Sequence, residues 1–355
     1  MIFNNINQLE TPCIIVDDVI VERNISRFQQ YCNEHNLTLR PHIKTHKIPE
    51  FAVRQLKAGA VGINCQKISE AEIFADAGIK DILITFNILG TEKLSRLVAL
   101  AQRVSLTVVA DSEEVVSQLS SVFTQANSEI RILVECDTGA GRCGVQSPVD
   151  AQKLAQYIDS SNATRFVGLL TYPHPKKSET ANEWLGNAKK LCEDVGLTPE
   201  VISTGGTPGL YNASVFTEAT EYRVGTYIYN DRSLVHNNTC TFDDCALKIL
   251  TTVVSTPTQD RVIVDAGSKS LSSDLLGLNG YGYVEKYPKA NIYALSEEHG
   301  CIDFSECEAR PKIGDQLHII PNHSCVVSNL FDYIHLQSSD GTFKKVAVSA
   351  RGRVW

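Results

Sequence analysis

Apolar and polar positions follow two rhythms along this chain. From residue 11 to about residue 230, short runs that are apolar throughout alternate with stretches whose apolar positions recur every three or four residues. The runs Cys13–Val16, Leu39–Lys44, Val61–Asn64, Ile82–Phe86, Leu106–Ala110, Ile130–Glu135, Phe166–Thr171, Val201–Thr204 and Glu221–Tyr227 predict strands. Helices are predicted over Pro49–Ala58, Ser69–Ala77, Glu92–Ala101, Glu113–Gln125, Ala151–Ile158 and Ala181–Val195. Several meet Gly59, Gly78, Asn127 or Gly196 at their ends, residue types that suit a helix C-terminus.

Strands that are apolar on both faces, each followed by a helix, indicate a parallel sheet covered on both sides. Eight such units close a (β/α)8 barrel. That reading is preferred to a doubly wound open sheet because no GxGxxG follows the first strand. Past about residue 235 the helical rhythm fades, and Leu247–Val254, Arg261–Asp265, Tyr281–Val284, Ala290–Leu295, Gln316–Ile320 and Phe343–Val348 read as short strands separated by Gly and Pro. The expected organisation is a barrel domain over residues 10–235 and a β-rich domain over residues 240–355, joined by residues 1–9. A chain of 355 residues exceeds the size at which single cores usually stop growing, which also points to two domains.

The net charge of −8 argues against a nucleic-acid or membrane-surface partner but leaves anionic small molecules open. The eleven cysteines are scattered without a CxxC pair, and the N-terminus lacks the basic and apolar stretches of a signal peptide. Reduced thiols in a cytoplasmic enzyme are expected, and no apolar run approaches bilayer length.

Candidate chemistry starts at Leu39-Arg40-Pro41-His42-Ile43-Lys44-Thr45-His46-Lys47. Lys44 ends a predicted strand, where barrel enzymes place their reacting groups. Nearby cations and partial burial favour the neutral amine that attacks a carbonyl. Lys47 is the alternative nucleophile. Asp137-Thr138-Gly139-Ala140-Gly141-Arg142-Cys143-Gly144 lets the backbone approach a ligand and offers Arg142 to an anionic oxygen. Ser203-Thr204-Gly205-Gly206-Thr207-Pro208-Gly209 and Arg223-Val224-Gly225-Thr226 follow two late strands, where barrels commonly bind phosphate. His323 and Cys325 are expected on one strand, facing the same side, as a pair suited to Zn2+. Asp265, Glu297, Glu298 and His299 add polar groups in the β-rich part.

With these residues in hand, the chain resembles the metal-activated pyridoxal enzymes that include D-threonine aldolase and eukaryotic-type D-serine dehydratase, which share an alanine-racemase-like barrel of fold type III. The segments RPHIKTHK, INCQKISEAE, DTGAGRCG, STGGTPG, RVGTY, DAGSKSLSSD, LSEEHG and PNHSC carry the likeness from residue 40 to residue 325. The resemblance implies that Lys44 holds pyridoxal 5'-phosphate as a Schiff base, with Gln66 and Tyr172 beside it and Arg142 on its phenolic oxygen. Gly205, Gly206, Gly225 and Thr226 would take the phosphate. His323 and Cys325 would bind a divalent metal, Zn2+ foremost, with Mn2+ or Mg2+ as alternatives. Arg223 would approach the pyridine nitrogen.

The implied reaction is a lyase reaction on a D-3-hydroxy amino acid, in a homodimer. The His-x-Cys form resembles the dehydratases, so D-serine or D-threo-3-hydroxyaspartate dehydration to keto acid and ammonia is expected. Aldol cleavage to glycine and an aldehyde is the alternative. A racemase and a non-catalytic pyridoxal phosphate carrier are more distant ones. Thr171-Tyr172-Pro173-His174-Pro175 departs from the glycine-containing family pattern at its strand end, which bears on the pocket wall.

Overall fold

The computed structural model describes residues 1–355, apart from the side chain of Pro208. The chain forms two compact units. One comprises Phe28–Lys44, Pro49–Gly225 and Arg353–Trp355; the other comprises Met1–Arg27, Thr45–Ile48 and Thr226–Gly352.

The first unit is the expected barrel. Eight parallel strands lie side by side in the order Thr38–Leu39, Glu221–Tyr222, Val201–Thr204, Thr164–Thr171, Ile130–Cys136, Ser105–Ala110, Asp81–Ile84 and Ile63–Cys65. Backbone bonds from Val61 N to Leu39 O (2.9 Å) and Asn64 N to Pro41 O (2.9 Å), with a parallel bridge between His42 and Asn64, join the last strand to the first. The ring is therefore closed. Leu83, Val109, Leu133, Val167 and Leu170 fill its interior, with Val201 packed against them. Helices cover the outside because each presents one apolar stripe. Glu113–Gln125, for example, buries Val115, Val116, Leu119 and Phe123. Pro148–Ser160 starts where Ser147 accepts from the Asp150 amide at 3.1 Å with Pro148 in the first turn.

The second unit is a β-sheet built around Leu247–Ser255, which pairs antiparallel with Cys13–Asp17, Gln316–Pro321 and Arg261–Val264. Tyr333–Gln337 runs parallel to Cys13–Asp17, and Phe343–Ala347 lies between it and the N-terminal strand Ile2–Phe3.

Several expectations are revised. Cys13–Val16, expected to open the alternating barrel series, lies in this mixed sheet instead. Its four apolar residues are buried, because strands flank it on both sides and both faces are covered. Such a run has the same pattern as a barrel strand, so periodicity alone assigns it to neither sheet. Strands Gly300–Asp303 and Tyr333–Gln337 and helices Asp18–Glu34 and Ser324–Leu330 were not predicted. No helix among the described residues is long and apolar enough to cross a membrane.

A glycine enforces one part of the ring. Gly168 has φ +145°, and a Cβ there would collide with the Val201 carbonyl, where two adjacent strands lie closest. Gly168→Ala should cost at least about 3 kcal/mol. Gly78→Ala (φ +92°, with open space around it) should cost about 1 kcal/mol. Comparing the two variants' chemical-denaturation midpoints checks this.

Candidate active site

In the barrel unit, Lys44 lies in the 3-10 turn Ile43–Thr45, two residues beyond His42, where the ring closes. Its side chain is exposed, contrary to the partial burial expected, because the turn lifts it off the rim. The neighbouring basic residues take separate roles. Arg40 points to the opposite end of the strands, where Nε donates to Glu221 Oε2 at 2.6 Å and Nη1 pairs with Asp81. Lys47 is buried with φ +55°; its Nζ donates to Ala350 O at 3.5 Å and its carbonyl accepts from Ala350 N at 3.1 Å. Lys47 is thus committed to structure.

His42 is buried, and its proton can be assigned. The Lys44 backbone N–H donates to Nδ1 at 3.3 Å, so Nδ1 is an acceptor and Nε2 carries the hydrogen. Nε2 then donates to Gln66 Oε1 at 3.0 Å, and Gln66 Nε2 donates to Thr85 O at 2.8 Å. Burial first, then the charge of Lys44 and smaller pushes from Arg223 and Arg142, hold the imidazole pKa well below its ordinary value. His42 is neutral, and it orients Gln66.

The glycine-rich loop after Ile130–Cys136 is organised by Asp137, whose Oδ1 accepts from Gly139 N at 2.9 Å and Gly141 N at 3.0 Å. It delivers Arg142 over the Tyr172 ring, 4.9 Å from its centroid, and 3.8 Å from the buried Glu135 carboxylate. Burial raises the Glu135 pKa, while Arg142 and Arg223 oppose the rise. Sequence reasoning passed over Glu135; an acidic residue closing an otherwise apolar strand was the available signal.

Gly205 and Gly206 allow a close approach. Gly205 has φ +113°, and a Cβ on it would lie 3.1 Å from Arg223 N; one on Gly206 would lie 2.8 Å from Tyr172 Cε2. Thr204 Oγ1 beside them is buried and has no hydrogen-bond partner among the described residues. An orphaned hydroxyl and a side-chain-free backbone suit the phosphate of pyridoxal phosphate. Gly225 ends the longest segment of this unit, and Thr226, in the 3-10 turn Thr226–Ile228, belongs to the other.

In the β-rich unit, the expectation of His323 and Cys325 on one strand is corrected. The strand Gln316–Pro321 ends first, His323 is the N-cap of helix Ser324–Leu330, and Cys325 falls in its first turn. The N-cap backbone is extended (φ −139°), and the imidazole and the thiol lie near enough that each shifts the other's pKa. Asp231 fixes the turn by accepting from Ser324 N at 3.1 Å, and Asn322 ties it to Asp274 O (3.1 Å) and Gly280 O (2.9 Å).

Three groups surround the thiol: His323, Thr45 Oγ1 at 3.2 Å and Thr226 Oγ1 at 3.4 Å. Burial pushes the Cys325 pKa up, but His323 and the two hydroxyls outweigh it and leave the thiol below its ordinary value. Burial likewise pulls His323 down, but Cys325, then Asp274 and Asp231, raise it to about 9. Asp274 Oδ2 lies 2.8 Å from His323 Nδ1, leaving Nε2 as the donor for an ion. An imidazole beside a thiol of lowered pKa suits a soft divalent metal. Among the described residues no third histidine, cysteine or carboxylate completes a ligand cluster. Asp265, named from sequence, is instead held by Thr11 (2.6 Å) and Thr251 (2.6 Å). The carboxylate that serves His323 is Asp274, at the end of the same DAGSKSLSSD segment.

The neutral His42 predicts a pH dependence. Its folded pKa is lowered, so below about pH 6.5 the unfolded chain takes up a proton that the folded chain refuses. Stability from this group is present above that pH and falls as the pH falls, by up to about 1.4 kcal/mol per pH unit. Thermal melts without cofactor should therefore show wild type losing more stability between pH 7 and pH 5.5 than His42→Gln.

Comparison with known proteins places this geometry. Residues 16–233 match the family described as "Alanine racemase, N-terminal domain", and residues 246–337 match "Putative serine dehydratase domain". The chain is 33% identical to a D-threonine aldolase of Arthrobacter sp. over 97% of its length and 93% of that protein's. The solved D-threonine aldolase of Filomicrobium marinum superposes with a TM-score of 0.91 at 30% identity, covering 99% of this chain and 98% of that one. The D-threo-3-hydroxyaspartate dehydratase of Delftia sp. HT23 superposes with a TM-score of 0.90 at 27% identity, covering 99% and 100%. Solved mutants of a D-threo-3-hydroxyaspartate dehydratase exchange a histidine and, two positions later, a cysteine for alanine, the latter in a metal-free form. With the barrel, the lysine-bearing turn and the histidine–cysteine couple in place, the chain belongs to the metal-activated pyridoxal enzymes, the lyase family of the D-threonine aldolases and D-serine dehydratases.

Proposed function

We propose that this chain is a pyridoxal-phosphate- and divalent-metal-dependent lyase for D-3-hydroxy amino acids, and that it dehydrates them to a keto acid and ammonia. The observation that carries the reading is the His323–Cys325 couple, backed by Asp274. Its histidine and cysteine are spaced as the residues exchanged in the D-threo-3-hydroxyaspartate dehydratase mutants, and imidazole with thiolate favours Zn2+. Lys44 would carry the cofactor, Gln66 and Tyr172 would flank its ring, and Arg142 would hold its phenolic oxygen. Gly205, Gly206, Gly225 and Thr226 would receive the phosphate, and His323 and Cys325 the metal. When bound, pyridoxal phosphate supplies an electron sink for the Cα bonds and the metal a Lewis acid for the 3-hydroxyl.

The chain's own groups do the rest. Lys44 Nζ would be the group that holds and moves the Cα proton. In the β-rich unit, Thr45 Oγ1 lies 3.2 Å from Cys325 Sγ and would steady the thiol. Neutral His42 fixes Gln66, and Arg142 and Arg223 keep the mouth receptive to anions.

Aldol cleavage is the second reading, favoured by the 33% identity to the Arthrobacter aldolase. Incubation with pyridoxal phosphate, Zn2+ and D-serine, D-threo-3-hydroxyaspartate or D-threonine separates the two. Keto acid and ammonia are expected from at least one substrate; glycine with an aldehyde would transfer the assignment to the aldolases. Chelation should remove turnover, and Lys44→Ala should lower it by at least about a thousandfold. Asp274→Ala should weaken the Zn2+ affinity about 10- to 100-fold, measured by competition with a chromogenic chelator.

A further inference from the structure

A file of polar side chains crosses the barrel interior, and of its members only Arg223 has entered the reading above. Arg223 is buried, 6% exposed, at the C-terminal end of the strands. Its Nε donates to Ser203 Oγ at 2.7 Å and its Nη2 to Thr171 O at 2.7 Å. Ser203 Oγ in turn lies 2.6 Å from Glu221 Oε1, and Glu221 Oε2 accepts from Arg40 Nε at 2.6 Å. Arg40 continues to Asp81.

Hydrogen-bond chemistry fixes the direction of every link. A guanidinium only donates and a carboxylate only accepts. The single Ser203 proton is therefore spent on Glu221, and the serine oxygen's lone pairs face Arg223. The order is Arg223 to Ser203 to Glu221, with Arg40 donating from the far side. None of Arg223, Ser203 and Glu221, all buried, can turn without leaving a buried polar atom unpaired.

Two of the three Arg223 nitrogens are committed in this way, and no hydrogen bond to Nη1 is found among the described residues. Nor does any carboxylate touch this guanidinium directly. Such burial of a cation is costly unless its position serves a ligand.

We propose that Ser203 and Glu221 are positioning residues that lock Arg223 so that Nη1 is presented to an acceptor atom of the bound cofactor. Nη1 can only donate, so its partner is a lone-pair ring nitrogen or an anionic oxygen. The inference rests on the pyridoxal phosphate reading above. It adds two residues on neighbouring strands that touch neither cofactor nor substrate.

The test uses the full chain reconstituted with pyridoxal phosphate. Wild type, Ser203→Ala, Ser203→Thr and Glu221→Gln are compared by visible absorption of the bound cofactor, cofactor dissociation constant, and kcat and KM separately. Ser203→Ala should remain cofactor-loaded but show an altered ratio of the bound-cofactor absorption bands and a kcat reduced about tenfold. Ser203→Thr keeps the hydroxyl and should restore both. Glu221→Gln keeps the shape but removes the charge, and should reproduce the spectral change; it also carries the test if Ser203→Ala does not fold.

A lower melting temperature in Ser203→Ala or Glu221→Gln with unchanged bands and unchanged kcat would show a purely structural network and overturn the proposal. A wild type that takes up no pyridoxal phosphate overturns the functional reading and this inference together. A normal wild type with unshifted variants overturns this inference alone.

Discussion

Closure of the parallel ring is the constraint on which the barrel's chemistry rests. A parallel sheet left open would expose unpaired backbone along two edges. The segment from Thr38 to His42 prevents this by bonding on both sides. Thr38, Arg40 and His42 donate to Thr220, Tyr222 and Val224 at 2.9–3.0 Å, while Leu39 and Pro41 accept from Val61 and Asn64. Pro41 has no N–H to give, so the seam is thin. The same few residues place Arg40 toward the floor, His42 toward the rim and Lys44 just past it. The turn that bears Lys44 is anchored by the bonds that complete the barrel.

Local charge then departs from the global sum. The chain carries a net −8, yet the rim gathers Lys44, Arg142 and Arg223 around a buried Glu135 and a histidine held neutral. Burial lowers the Arg223 pKa to about 10, still far above neutrality, so the guanidinium remains charged. Low surrounding polarity strengthens each of these fields. An anionic ligand finds a receptive mouth in a protein that would repel it elsewhere.

Much of this was legible from the sequence, and the failures have physical reasons. Helices Pro49–Ala58 and Glu113–Gln125 carry a one-face apolar stripe and clear stops, and both were read to the residue. The segment containing Lys44 was found because basic residues crowd the end of an apolar run. Cys13–Asp17 was misplaced because burial on both faces erases the distinction between sheets. The turn at His323 was taken for strand because the preceding run is apolar to Pro321; nothing in PNHSC announces a helix cap whose acceptor, Asp231, lies about ninety residues earlier. Asp274 and Ser203 matter only through partners remote in sequence, and pairings of that kind leave no periodic trace.

The cap at His323 has a consequence for how this family can diversify. Because the imidazole comes from the residue before the helix and the thiol from its first turn, the two donors are set by backbone shape rather than by a packed side-chain jigsaw. First-turn positions also welcome negative charge, since the helix amides point toward them. A carboxylate could stand at position 325 without redrawing the loop. That exchange would turn a soft ligand hard, and with it change which ion is preferred and how strongly it polarises oxygen. If the proposed metal is held there, a single codon at the start of one short helix would retune it while the barrel stays as it is.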